Sequence, residues 1–96
     1  MSDVVESAVK ALQERFGREG FDGTVNFVIV DEGTVRIDED GVSAGDGPAD
    51  CTITASAETF ESIFQGDLNP TSAFMTGKLA IEGDMGLAMR LAARLA

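Results

Sequence analysis

The spacing of hydrophobic residues changes along the chain, and the changes divide it into predicted helices and strands. Over residues 4–16 apolar side chains recur every three to four positions, which is typical of an amphipathic helix. Its predicted inner face holds Val5, Ala8, Val9, Leu12 and Phe16. Ser2 or Asp3 can cap the start of this helix, and Gly17 suits the residue just past its end.

From Thr24 onward the hydrophobic period becomes two, which predicts strands with one apolar face. The predicted strands are residues 24–30, 34–38, a short one from Val42, and 50–55. Tight turns at residues 31–33 and 39–41 both end in glycine and join the first three strands, so these strands should form an antiparallel meander. The inner face of the sheet is predicted to include Val25, Phe27, Ile29, Val35, Ile37, Cys51, Ile53 and Ala55.

The second half of the chain returns to helical signals with recognisable caps. Ser56 can cap a helix that runs to about Gln65, and Asn69-Pro70 is an N-cap followed by proline at the first helical position. Residues 78–82 predict a fifth strand, and Asp84 can cap a final helix. The element order is therefore α-β-β-β-β-α-α-β-α. Because each strand has one polar or mixed face, we expect one two-layer α+β domain over residues 1–96, with helices on one face of a five-stranded, mostly antiparallel sheet.

The final helix is apolar on nearly every side. After Met85 its only charged residues are Arg90 and Arg94, and one apolar stripe runs through Met85, Ala88, Met89 and Ala92. A second stripe is formed by Leu87, Leu91 and Leu95. A small domain covers such a helix with difficulty, so either an apolar ligand or a partner chain is expected to complete its burial.

Composition narrows the classes of function. The formal net charge of −10 disfavours nucleic-acid binding, since phosphate backbones repel an acidic chain. Anionic lipid surfaces are expected to repel it too, except at the basic final helix. The chain has no apolar run long enough to span a bilayer and carries Asp3 and Glu6 where a signal peptide needs basic residues. With its single cysteine, Cys51, these features predict a cytoplasmic protein without stable membrane insertion.

The residues that usually carry catalysis are scarce. The sequence contains no His, Trp or Tyr, so the commonest general base and metal ligand are missing. Cys51 falls on the inner face of a strand with no histidine to activate it and is predicted to be a structural thiol. The acidic run 38–40 before Gly41 resembles a calcium loop, but Arg36 and Gly47 occupy positions that need acids, so a hairpin turn is the better interpretation. We therefore predict no enzymatic activity, no metal and no cofactor.

The segment from Phe64 to Ala96 carries a resemblance to a known family. Its sequence, FQGDLNPTSAFMTGKLAIEGDMGLAMRLAARLA, places Gly66, Asn69-Pro70, Phe74-Met75, Gly77-Lys78-Leu79, Ile81 and Gly83-Asp84 in a pattern that resembles the sterol carrier protein (sterol-transfer) family. Upstream, the resemblance lies in element order and turn positions. It implies a five-stranded sheet with helices on one face that enclose an apolar cavity. It also implies non-catalytic binding and transfer of a fatty acid, fatty acyl-CoA, phospholipid or sterol-like ligand.

Given this resemblance, the expected site is a cavity between the sheet and the C-terminal helices. The candidate ligand-binding residues are Phe27, Ile29, Ile53, Phe60, Phe64, Phe74, Met75, Met85, Met89 and Leu91. Without the resemblance, most of these side chains would be assigned to the core. The alternative function is a protein-interaction module, or a homodimer formed through Leu87, Leu91 and Leu95, that could serve a lipid enzyme. An enzyme is the third and weakest hypothesis.

Overall fold

A computed structural model describes residues 3–16 and 21–95, apart from the side chain of Leu95. The predicted caps at Ser2 and Gly17 lie outside these residues. The elements follow the predicted order α-β-β-β-β-α-α-β-α. They are α1 Asp3–Phe16, β1 Val25–Ile29, β2 Gly33–Asp38, β3 Gly41–Ala44, β4 Cys51–Ala55, α2 Ala57–Phe64, α3 Pro70–Met75, β5 Leu79–Gly83 and α4 Met85–Leu95.

The five strands form one sheet in the order β3-β2-β1-β4-β5. The pairs β1–β2 and β2–β3 are antiparallel, as the meander prediction requires. The pair β4–β5 is also antiparallel, whereas β1 and β4 are parallel. The predicted two-layer α+β fold with a mostly antiparallel sheet is therefore confirmed. The hairpin interpretation of residues 38–41 is confirmed as well, because Asp38 Oδ1 accepts a hydrogen bond from the Asp40 N–H at 2.9 Å between β2 and β3.

The core lies between one face of the sheet and the helices. Strand pairing places Phe27 beside Val35 on one side and Ile53 on the other, so the apolar residues of neighbouring strands share a face. Buried residues of this face are Val25, Phe27, Ile29, Val35, Ile37, Val42, Cys51, Ile53, Ala55 and Leu79. Helix α1 covers β2 and β3, and α4 covers β4 and β5. Burial of this apolar surface is the main stabilising term of the fold.

The opposite face of the sheet is mostly polar, and one of its polar residues, Asn26, is buried. Asn26 is 7% exposed, and its amide nitrogen donates to the carbonyl of Gly47 at 2.7 Å. The guanidinium of Arg36 donates to the Asn26 side-chain oxygen at 3.4 Å. These bonds hold the loop between β3 and β4 against the outer face, and they satisfy a polar group whose burial would otherwise be costly.

Helix α4 packs on the sheet through its leucine stripe. Leu87 is 3% exposed and Leu91 is fully buried, and Leu87 fits against Gly23, where an added Cβ would approach Leu87 Cδ1 to 2.7 Å. The prediction of a homodimer through these leucines is therefore wrong: Leu87 and Leu91 are used inside the chain, and the side chain of Leu95 lies outside the described part. The sequence pattern did not show whether the leucine stripe or the methionine stripe of α4 would face the sheet, because both are apolar.

The turn from β5 into α4 is built as the sequence predicts. Gly83 has φ +98°, a conformation that glycine adopts readily. Asp84 Oδ1 accepts a hydrogen bond from the Leu87 N–H at 3.0 Å and so caps α4. The predicted caps at Ser56 and Asn69 are also confirmed, because their side chains accept hydrogen bonds from the Thr59 N–H and the Thr71 N–H respectively.

Loss of the α4 cap should have a measurable cost. We expect Asp84→Ala to lower the free energy of unfolding by roughly 0.5–2 kcal/mol, because the Leu87 N–H loses its partner. Asp84→Asn is the matched control and should retain most of the stability, since asparagine caps helices about as well as aspartate. Urea denaturation of the three proteins measures the difference. Equal losses in both variants would assign the effect to the charge of Asp84 instead of its hydrogen bond.

Candidate functional site

A cleft opens between α1 and α2, above the end of β1. Its volume is about 290 Å³. Ile29 forms part of its buried floor, Phe60 and Phe64 contribute from α2, and small side chains of α1 keep it open. The lining residues are Asp3, Val4, Ser7, Ala8, Ala11, Ile29, Ala57, Phe60, Glu61, Phe64 and Gln65. The cleft is mainly apolar, and its volume lies close to the lower limit of ordinary small-molecule sites.

Arg15 ties α1 to the end of α2. Its guanidinium donates to the carbonyl of Phe64 at 2.7 Å and lies 5.8 Å from the centre of the Phe64 ring. This contact fixes the spacing of the two helices on one side of the cleft and satisfies a carbonyl in the last turn of α2. The charged groups that line the cleft itself are the carboxylates of Asp3 and Glu61.

A small void lies deeper, between the sheet and α4. It is lined by Phe27, Ile53, Phe60, Ile63, Pro70, Leu79, Leu91 and Ala92. Its volume is about 20 Å³, and all of its exposed lining surface is apolar. A water molecule would find room but no hydrogen-bond partners there, so the void should be dry. An acyl chain could enter this region only if the surrounding side chains moved.

Phe60 separates the cleft from the void and lines both. It is the middle ring of an aromatic row, 4.6 Å from the centre of Phe27 and 4.7 Å from that of Phe64, with edge-to-face geometry on both sides. Phe27 borders the void and Phe64 borders the cleft. A rotation of the Phe60 side chain would therefore act on both spaces at once.

The predicted ligand-binding residues fall into two groups. Phe27, Ile53, Phe60 and Leu91 meet around the void, and Ile29 and Phe64 line the cleft together with Phe60. The others lie exposed on the two C-terminal helices: Phe74 at 37%, Met75 at 79%, Met85 at 41% and Met89 at 51% of their surface. The chain therefore brings six of the ten side chains to the two cavities, and the role of all ten in ligand binding stays a prediction.

Sequence reasoning missed the contribution of α1. Val4, Ser7, Ala8 and Ala11 occupy positions i, i+3, i+4 and i+7 of one helical row, which shares buried Ala8 with the face that enters the core. A row of small residues carries no ligand signal by itself, since it serves equally well for close helix packing. This row indicates a cavity only once the structure shows that α2 leaves a gap beside it.

Cys51 does not contribute to either cavity as a nucleophile. It is 1% exposed on the inner face of β4, and burial, with a smaller effect of the Asp84 carboxylate, raises the pKa of its thiol. A raised thiol pKa disfavours the reactive thiolate at neutral pH. Among residues 3–16 and 21–95, no three His, Cys, Asp or Glu side chains are grouped closely enough to hold a metal ion.

No helix in the described ranges combines the length and apolar character needed to cross a bilayer.

Comparison with known proteins gives one consistent result. The sequence profile of the SCP-2 sterol transfer family matches residues 4–96. Hydroxysteroid dehydrogenase-like protein 2 of Xenopus laevis is 36% identical over 96 residues, covering 92% of this chain and 21% of that protein. Human sterol carrier protein 2 is 54% identical over 46 residues, covering 48% of this chain and 8% of that protein. The chain thus spans about a fifth or less of the length of these relatives.

Solved structures agree with the fold. The solution structure of palmitated SCP2L2 from Aedes aegypti superposes with a TM-score of 0.71 at 26% identity, covering 99% of this chain and 95% of that one. The crystal structure of sterol carrier protein 2 like 2 from the same organism gives a TM-score of 0.74 at 24% identity, with 94% of each chain covered.

Proposed function

Since this chain belongs to the SCP-2 sterol transfer family, whose members bind and transfer lipids, we propose that it binds an acyl lipid without catalysis and transfers it. The family is generally non-enzymatic, although the domain also occurs within multifunctional enzymes such as peroxisomal multifunctional enzyme A of Dictyostelium discoideum. The observation that carries the proposal is the pair of apolar spaces that share Phe60. The palmitated SCP2L2 structure supports a long acyl chain as the ligand class.

In this proposal the acyl chain enters by the cleft between α1 and α2 and reaches toward the void. Phe60 turns aside, the two spaces join, and the chain end comes to lie against Phe27, Ile53 and Leu91, which agrees with a site between the sheet and α4. Binding rests on burial of apolar surface, worth about 25 cal/mol per Å², instead of on directed polar contacts. Such a site tolerates ligands of different shape, since few groups specify an orientation.

Filling the cleft should abolish binding without unfolding the protein. Ser7 is exposed at the cleft, so we expect Ser7→Phe to occupy the space and weaken the binding of a fluorescent fatty acid by at least about tenfold, because more than one methylene loses its burial. The matched control is Ser43→Phe on β3, where the exposed side chain lies on the sheet face away from the helices. Fluorescence titration compares the two variants with the wild type.

The control should bind like the wild type, and both variants should melt within a few degrees of it. A Ser7→Phe protein that is folded and binds the probe normally would contradict entry through this cleft. If wild type neither binds the probe nor carries co-purifying lipid in native mass spectrometry, the proposed function itself fails.

The cleft should discriminate between lipid head groups. Asp3 and Glu61 place carboxylates at its lining, so a fatty-acid anion meets like charge whereas an uncharged head does not. We expect Glu61→Gln to raise the affinity for palmitate about two- to fivefold and to leave the affinity for palmityl alcohol unchanged, because Glu61 is exposed and its Coulomb interaction is modest.

Glu82→Gln provides the control for the change in net charge. Glu82 pairs with Thr52 on the outer face of the sheet, so its loss should alter neither affinity. Equal effects of the two substitutions would mean that overall charge, and not the lining of the cleft, sets the preference. Calorimetry at low ionic strength, where exposed charges are least screened, is the suitable measurement.

A further inference from the structure

The exposed hydrophobic surface of this chain is concentrated on α3 and α4. Within the described residues five large hydrophobic side chains are exposed, and four of them, Phe74, Met75, Met85 and Met89, belong to these two neighbouring helices. Met75 is the most exposed at 79%. We call these four side chains the methionine surface. Met85 and Met89 are four residues apart and therefore lie on one face of α4, directed away from buried Leu87 and Leu91.

The charges on these two helices have the opposite sign to the chain as a whole. The net charge is −10, yet α3 has no charged residue and the charges of α4 are those of Arg90 and Arg94. Lys78 follows α3 and is exposed. Asp22 lies 3.4 Å from Arg90, but both side chains are more than half exposed, so the pair is weak and an anionic group in solution can replace the aspartate.

Helix α1, the longest helix, offers no comparable surface. Its exposed side chains include the carboxylates of Asp3, Glu6 and Glu14. A surface that combines exposed apolar side chains with the flanking cations of Arg90 and Lys78 is complementary to an anionic membrane interface. Arg94 is not part of it, since its guanidinium lies 4.5 Å from the centre of the Phe16 ring, and the Asp84 carboxylate beside Met85 is engaged as the cap of α4. Flexible methionines suit such a contact because they adapt to irregular, fluid surroundings.

We propose that the methionine surface docks this chain on anionic lipid bilayers, with Phe74, Met75, Met85 and Met89 entering the interface and Arg90 meeting head-group phosphates. The contact is reversible and interfacial, since neither helix spans the bilayer. The proposal extends lipid transfer by naming where the protein meets its lipid source. It does not depend on the proposed ligand site, because docking on a vesicle is measurable whether or not a lipid is taken up.

Co-sedimentation of the full chain with vesicles tests this proposal. Vesicles of phosphatidylcholine alone are compared with vesicles that also contain phosphatidylglycerol, at low and high salt. We expect binding to the anionic vesicles that weakens with salt, and little binding to neutral ones. Met75→Asp and Met89→Asp should each lower the partition coefficient at least about tenfold, and Arg90→Gln about fivefold.

Val30→Asp is the matched control, because Val30 is 47% exposed and is the fifth of these hydrophobic residues, away from α3 and α4. It should leave vesicle binding close to that of the wild type. Equal losses in Val30→Asp and the methionine variants would overturn the proposal, as would the absence of binding to any vesicle. Self-association of the wild type that Met75→Asp abolishes would assign the surface to a second copy of the chain and overturn it too. Binding of a fluorescent fatty acid in the absence of vesicles should be unchanged in Arg90→Gln and Val30→Asp, whose residues line neither cavity, and this separates failure of docking from failure of the ligand site.

Discussion

Gly83→Val should be among the most destabilising single substitutions in the chain. A Cβ at this position would lie 2.4 Å from the carbonyl oxygen of Asp50 and 3.2 Å from the Cα of Cys51. Both are backbone atoms of the neighbouring chain segment and cannot rotate away. The positive φ of +98° adds strain of roughly 1–3 kcal/mol for a residue with a side chain. Thermal and urea unfolding should therefore show a loss larger than this conformational cost alone.

Gly77→Val separates the two contributions. Gly77 has a similar φ of +80°, but an added Cβ there meets no atom within 4 Å. It should show the conformational cost without the collision, so Gly83→Val should exceed it by at least about 1 kcal/mol, the scale of an overpacked contact. Because Gly83 leads directly into α4, the Gly83 variant should also retain a fatty-acid probe less well. Equal losses for the two glycines, or unchanged melting and probe binding in Gly83→Val, would show that this turn does not position α4.

Leu91→Glu should leave little folded protein at neutral pH. Leu91 is fully buried against the sheet, where a carboxylate would have neither water nor a described cation to offset its desolvation. The cost of a buried unpaired charge is comparable to the whole stability of a small domain. Circular dichroism and analytical ultracentrifugation should report an unfolded or aggregated chain.

Met89→Glu is the control for this substitution. Met89 lies on the same helix two residues earlier and is 51% exposed, so its replacement should change the free energy of unfolding by no more than about 0.5 kcal/mol. A Leu91→Glu protein that stays folded and merely dissociates would require Leu91 to face outward. That result would restore the homodimer interpretation that the burial of Leu87 and Leu91 excludes.

Much of the fold could be predicted from local sequence patterns, namely helix caps, glycines after helix ends and the alternation of apolar and polar residues in strands. Ser56, Asn69 and Asp84 are side chains that satisfy helix N–H groups, and each caps the helix that it was expected to cap. Glycines at positions 66 and 77 adopt positive φ just past helix ends. Alternation of apolar and polar residues identified the inner face of each strand, because a strand half covered by helices has a period of two.

Long-range choices were less predictable. β4 pairs in parallel with β1 and not with β3, and every strand has an alternation that suits several neighbours. The orientation of α4 was equally open, since leucines and methionines form two apolar stripes. In the fold the leucines face inward, with Leu87 against Gly23 and Leu91 against the sheet. Asn26 read as an ordinary outward polar residue, yet it anchors the loop at Gly47.

In the candidate site, too, some residues could be predicted from the sequence and others could not. Large apolar residues such as Phe27, Phe60 and Leu91 attract attention in a sequence and do border a cavity. Ala8 and Ala11, which keep the cleft open, carry no such signal because a small side chain is informative only through the space beside it. Exposed Met75 and Met89 could not be distinguished from cavity-lining residues, since side-chain chemistry is identical in both settings.

The central claim is that an acyl chain enters between α1 and α2 and passes Phe60. Titration of palmitate into the isotope-labelled chain, followed by the methyl resonances, tests it most directly. The account predicts saturable one-to-one binding, with the largest shifts at Ala8, Ala11, Ala57 and Ile29 in the cleft, followed by Ile53 and Leu91 at the void, and small shifts at exposed Val30 in the turn after β1. An unchanged spectrum at excess palmitate, or shifts that leave the cleft methyls unmoved, would contradict it.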